Sequence, residues 1–130
     1  MKEELIAPCG MNCAICVAYF GYRMDGGRRK TACNGCRIKN KDCAFVKKQC
    51  ELLSKHQIEY CFECDHFPCE QLKKLDKRYR IRFNMSSIEN LENIRDNGVR
   101  KFLKQQRTRY RCPECGGTIC VHTNRCYSCS

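Results

Sequence analysis

Pairs of cysteines separated by two residues recur five times along this chain: Cys13 and Cys16, Cys33 and Cys36, Cys61 and Cys64, Cys112 and Cys115, Cys126 and Cys129. Fifteen cysteines scattered at random over 130 positions would give roughly two such pairs, and this is the spacing that zinc knuckles use. Two thiolates so placed, in a tight turn whose backbone N–H groups point at the sulfurs, both reach a tetrahedral ion at about 2.3 Å. The chemistry these residues offer is thiolate coordination of metal.

The competing use of cysteine is the disulfide. The opening MKEELIAPCG has no apolar run long enough for a signal peptide, and no later stretch is long or apolar enough to span a bilayer. The expectation is therefore a cytoplasmic chain with no membrane partner, where thiols stay reduced and act as ligands. Fifteen is also an odd number for a disulfide framework. At this length, and with few apolar residues once cysteine is set aside, metal is the staple that a small core needs.

Spacing also divides the ligands. A helix over 42–56, with Asp42 as its N-cap and Phe45, Val46, Gln49, Leu52 and Leu53 as its stripe, carries both Cys43 and Cys50. On that helix the two lie about 10.5 Å apart along the axis at 1.5 Å per residue, too far for one ion. Cys50, Cys61, Cys64 and Cys69 then form one closed site, and Cys9, Cys13, Cys16, Cys33, Cys36 and Cys43 surround another. Six thiols exceed the needs of one ion. Either Cys9 and Cys43 stand outside the shell, or the six bridge two ions, or they hold an iron–sulfur cluster, the alternative to zinc that CGMNCAIC keeps open. His66 is a possible substitute ligand in the Cys50 site.

Several elements must position these residues. After the CGMNCAIC knuckle, residues 9–22 read as running into a short helix that Gly21 stops. Residues 24–31 are a polar, basic loop leading to CNGC. Pro68 sits at the start of a helix whose buried stripe is Leu72, Leu75 and Tyr79, with Cys69 in its first turn, where the helix dipole favours a thiolate. Ser86 and Glu89 read as a capping box opening a helix through Ile88, Leu91 and Ile94 that Asn97-Gly98 ends. A further helix through Val99, Phe102, Leu103 and Gln106 follows.

The runs APCGMNCAICVAY, CNGC and CFECDHFPCEQL resemble the cysteine-rich prokaryotic family catalogued as domain of unknown function 3795, whose members show a CGxxCxxCxAY opening and a CxxCxxFPCxxL close. The resemblance covers residues 7–75. It implies a small cytoplasmic bacterial or archaeal protein that binds metal, and it implies no reaction.

At the other end, CPEC, Gly116-Gly117 and CYSC form a compact zinc ribbon from Cys112, Cys115, Cys126 and Cys129, with Cys120 and His122 as further candidates on the hairpin between them. This ribbon resembles an extension found in some relatives of that family.

A four-cysteine site is coordinatively full, so it is structural. His56, His66 and His122 make no HExxH-like arrangement, no glycine-rich phosphate loop is present, and no base pairs with a spare thiol, so the chain reads as non-enzymatic. Its formal charge of +11 treats every cysteine as neutral; each loaded four-thiolate zinc centre contributes about −2, and three centres leave about +5. Residues 73–82 and 101–111 still interleave tyrosine with arginine. Lys101, Lys104, Arg107, Arg109, Tyr110 and Arg111 are accordingly the candidate nucleic-acid contacts.

The expected architecture is a small, metal-stabilised α+β protein: an α-rich cysteine-cluster module over residues 1–83, a helical connector over 84–111 and a β zinc ribbon over 112–130. About three Zn2+ sites would make it a binding platform for a protein or nucleic-acid partner, with a redox or metal-handling thiol role as the alternative.

Overall fold

Among the described residues three α-helices form, each along an apolar stripe of the sequence. In the computed structural model, which describes residues 1–35 and 58–129, they are α1 (Glu70–Phe83), α2 (Ser87–Asn97) and α3 (Val99–Arg109). Ser86 caps α2 by accepting the Glu89 N–H at 3.0 Å, while the Glu89 carboxylate turns to Arg80 at 3.5 Å. Gly98, with φ 89° and ψ 155°, ends α2 and opens α3 in a conformation essentially restricted to glycine. The stop at Asn97-Gly98 is where the sequence places it. The helix expected over 42–56 lies outside the described residues.

α1 corrects one detail. Cys69 is not in the first turn but is the N-cap, with extended backbone at φ −79° and ψ 167°. Its carbonyl accepts the first helical bond, from Lys73 N at 2.9 Å. The helix ends at Asn84, whose left-handed backbone (φ 50°, ψ 44°) turns the chain out of the helical path. Glu70 in the first turn and Arg80 and Arg82 in the last match the helix dipole.

The knuckle does not run into an α-helix. One 3-10 turn, Cys13–Ile15, is followed by turns closed by Tyr19 N to Cys16 O at 3.0 Å and Gly21 N to Ala18 O at 3.1 Å. Residues distant in sequence engage the backbone of this stretch. Val17 N–H donates to His122 Nδ1 at 3.2 Å, and the Ala18 carbonyl also accepts Cys33 N–H at 2.9 Å.

In the C-terminal segment two isolated antiparallel bridges join Arg111 to Thr118 and Ile119 to Cys126, and no continuous strand forms among the described residues. The knuckle turns consume the short chain: Cys112 N donates to Gly117 O at 2.8 Å, and Gly116 N returns to Cys112 O at 2.9 Å. The protein is thus helix-rich with little strand.

α2 packs against both α1 and α3, with the Cys61–Glu63 turn against α2 and the Glu3–Leu5 turn against α3. One buried cluster runs from Leu5, Ala7 and Ile15 through Leu72, Leu75 and Leu91 to Tyr110 and Val121, and Cys9, Cys13 and Cys61 belong to it. A second surrounds Ile6, Ile94, Phe102 and Leu103. Cysteine here fills core volume as a small apolar side chain does.

Buried polar side chains fix the N-terminal segment against the helices. Asn12, fully buried, accepts from Ala14 N at 3.0 Å and donates to Gln106 Oε1 on α3 at 3.2 Å. Asn90 on α2 donates to the Gly10 carbonyl at 3.0 Å. Each such bond contributes about 1 kcal/mol net, and more is lost when one partner is left buried alone.

Candidate metal centre

The C-terminal knuckles bring four sulfurs together. The Sγ atoms of Cys112, Cys115, Cys126 and Cys129 all lie within 4.8 Å of one another, with Cys112 to Cys129 at 3.4 Å and Cys115 to Cys126 at 3.5 Å. Sulfurs about 2.3 Å from one tetrahedral ion must themselves sit under about 4 Å apart, so this cluster needs only a small contraction to hold a metal ion. Gly117 N–H donates to Cys115 Sγ at 3.3 Å, the amide-to-sulfur contact that knuckle turns provide.

Electrostatics favour one anionic sulfur at this point. The amides of Cys115 and Glu114, then the Cys129 thiol, pull Cys112 down to about 7. Cys129 is pushed up, first by its hydrogen bond with Cys115 and then by those with Cys112 and Cys126. Four thiols this close cannot all ionise alone; a cation that replaces their protons removes the conflict. With four thiolates the shell is full, leaving no position for water or substrate.

Cys120 and His122 stand outside this group. Cys120 is fully buried. His122 is turned the other way, with Nδ1 on Val17 N–H and Nε2 2.9 Å from the Tyr79 hydroxyl. Val121 N also donates to Ile15 O at 2.9 Å, and the Tyr22 and Tyr127 rings stack at 4.5 Å. These contacts dock the C-terminal knuckles onto the turn after the N-terminal one.

The other candidate ligands are arranged differently. Cys9, Cys13, Cys16 and Cys33 line one largely enclosed cavity of about 60 Å³, with Met11, Leu75, Tyr79 and Ser87 among its other walls. Cys61 is buried, and Cys64 and Cys69 are half-buried. Cys64 Sγ accepts from His66 N–H at 3.4 Å, and His66 itself is exposed. Among the described residues, only the C-terminal four are gathered closely enough for a single ion. Cys36, Cys43 and Cys50 lie outside the described residues, and no disulfide joins the twelve cysteines within them.

Of the candidate nucleic-acid residues, Lys101, Lys104, Arg107, Arg109 and Arg111 are exposed. Tyr110 is only 8% exposed, and the Arg109 guanidinium lies 5.2 Å from its ring centroid, so this ring is not offered to a base. No local pattern signals that burial, nor that of Ser87, 1% exposed, whose hydroxyl has no hydrogen-bond partner among the described residues. Neither residue belongs to a local motif.

Among the described residues no helix is long and apolar enough to cross a membrane. Neither a curated protein nor a solved structure matches the chain. The family model described as "Protein of unknown function (DUF3795)" matches residues 5–74, just over half of the 130 residues, which takes in the CGMNCAIC knuckle, the cavity cysteines and the start of α1. By its sequence and its cysteine framework, the chain belongs to the DUF3795 family.

Proposed function

We propose that this protein is a non-catalytic zinc-binding module. In this reading one Zn2+ held by Cys112, Cys115, Cys126 and Cys129 fixes the C-terminal knuckles as a minimal ribbon against the helical body, and the composite face receives a partner. The observation that carries the reading is the convergence of four sulfurs within 4.8 Å. A full thiolate shell stabilises and shapes a fold rather than catalysing.

Nucleic acid is the partner we favour. A shallow cleft of about 400 Å³ beside the knuckles is lined by Arg107, Thr108, Arg111 and Gly116–Thr118, which sets two guanidinium groups next to open volume suited to phosphate. Native mass spectrometry with elemental analysis tests the metal: zinc should be bound, and Cys126→Ser should lose one equivalent. Unchanged zinc content in that variant overturns the site. A mobility shift with single-stranded RNA tests the partner; binding should weaken with salt and fall in Arg107→Ala/Arg111→Ala. Equal affinity of the double variant would point instead to a protein partner.

A further inference from the structure

We propose that the cavity lined by Cys9, Cys13, Cys16 and Cys33 is a [4Fe–4S] cluster site, distinct from the C-terminal zinc site and independent of it. Four cysteines line this largely enclosed space and give it a sulfur-rich wall suited to a metal-containing occupant. The C-terminal cluster shows how this chain gathers cysteines for one ion, with all Sγ atoms within 4.8 Å; among the described residues no three of the cavity cysteines meet that spacing. A cubane cluster removes the requirement, because each thiolate binds a different iron at an outer corner and the sulfurs need not touch one another.

The walls are built to hold such a group. Gly10 has φ +86°, and a Cβ there would lie 2.8 Å from the Leu91 side chain and 2.8 Å from the Ser87 carbonyl. The Cys9–Cys13 turn is thereby pressed against α2. Ala7 N to Met11 O at 2.8 Å closes this turn, and Cys33 is delivered by its N–H bond to Ala18 O at 2.9 Å. The cavity of about 60 Å³ would admit several waters at about 10–15 Å³ each, yet each water wants two to four polar partners. Met11, Ala18 and Leu75 offer none and the Tyr79 hydroxyl is already paired with His122, which leaves the Ser87 and Tyr19 hydroxyls and the weakly bonding thiols.

Ser87 completes the fit. Among the described residues its hydroxyl is the one polar side-chain atom on this wall that is both buried and without a partner, and Ser87 is 1% exposed. An unsatisfied buried hydroxyl costs about 1–3 kcal/mol; a cluster sulfide or ligating thiolate would accept its hydrogen bond. Hydrogen bonds to cluster sulfur stabilise the more negative, reduced state and so raise the reduction potential.

The full chain, expressed with iron and cysteine and purified anaerobically, should be brown and carry about four iron and four acid-labile sulfide per protein. Reduction with dithionite should give an electron-spin-resonance signal of a reduced cubane. Cys33→Ser should lose most of the iron, whereas Cys112→Ser should keep it, so a failed zinc site and a failed cluster site are told apart. Ser87→Ala should retain the cluster and titrate at a lower potential. Colourless protein with zinc in place of iron would overturn the proposal. So would iron indifferent to Cys33→Ser, or a Ser87→Ala potential equal to that of the wild type.

Discussion

The imidazole of His122 and the phenol of Tyr79 meet at 2.9 Å between Nε2 and the hydroxyl, joining the C-terminal knuckle segment to α1. Because Nδ1 accepts the Val17 N–H, the proton of the neutral ring sits on Nε2 and is donated to Tyr79. Phe83 packs edge-on against the same ring at 4.8 Å. Both ring nitrogens are committed to holding three segments together.

Burial pushes His122 from 6.5 down to about 4, with Arg82 adding to the effect. The unfolded chain therefore binds a proton that the folded chain refuses. Stability is at its full value above about pH 6.5, falls as pH drops toward 4, and levels off below it, a loss on the order of 2–3 kcal/mol. His122→Gln should be less stable at neutral pH but should flatten this dependence. Urea unfolding of both proteins from pH 7 to 4 measures the difference, and parallel curves would show that His122 does not titrate there.

Metal at the C-terminal cluster should be coupled to the docking of that segment, since Val121 and His122 lie between the two knuckles and carry the contacts to Ile15 and Val17. Chelation, or Cys126→Ser, should loosen residues 112–129 while α1, α2 and α3 persist. Tryptic cleavage after Arg125 is expected to accelerate about tenfold or more, the equivalent of losing roughly 1.4 kcal/mol of local stability. Unchanged cleavage would mean that the fold holds this segment without metal.

Asp76 on α1 is the electrostatic anchor of the α1–α2 corner. Burial alone would raise its carboxyl, but hydrogen bonds from Ser86, Ile88 N and Arg80, with the Arg80 charge, outweigh that and hold it below the usual carboxylate range. The stabilisation is present above the unfolded carboxylate pKa and is lost as pH falls through the depressed folded value. Asp76→Ala should cost about 2–3 kcal/mol at neutral pH, with a smaller gap from wild type in strong acid. Denaturant midpoints at pH 7 and pH 3 test both halves.

What was legible in the sequence was what is decided locally. Ser86 with its side-chain oxygen and Gly98 with its backbone freedom bound α2, and Cys112, Cys115, Cys126 and Cys129 converge within eighteen residues through two knuckle turns. The helix expected after Cys16 gives way to turns in which the Ala18 carbonyl accepts from Gly21 N–H and from Cys33 N–H, a pairing that no local motif signals. Tyr110 was read as a surface ring because its neighbours are cationic; its burial follows from packing in the shared core. The Asn12 to Gln106 bond spans 94 positions, and nothing near either residue signals the other.

Gly10 and Gly98 separate backbone strain from steric fit. Both have positive φ, 86° and 89°, so alanine at either position is strained by about 1–3 kcal/mol. A Cβ at Gly98 meets nothing within 4 Å, whereas at Gly10 it comes within 2.8 Å of both Leu91 Cγ and the Ser87 carbonyl. The carbonyl belongs to α2 backbone and cannot move aside as a flexible side chain would. Gly10→Ala should therefore cost about 1–3 kcal/mol more than Gly98→Ala, and it should also displace the wall that carries Ser87. Thermal unfolding of the two variants side by side measures the gap; equal losses would mean that the turn at Gly10 is not held against α2.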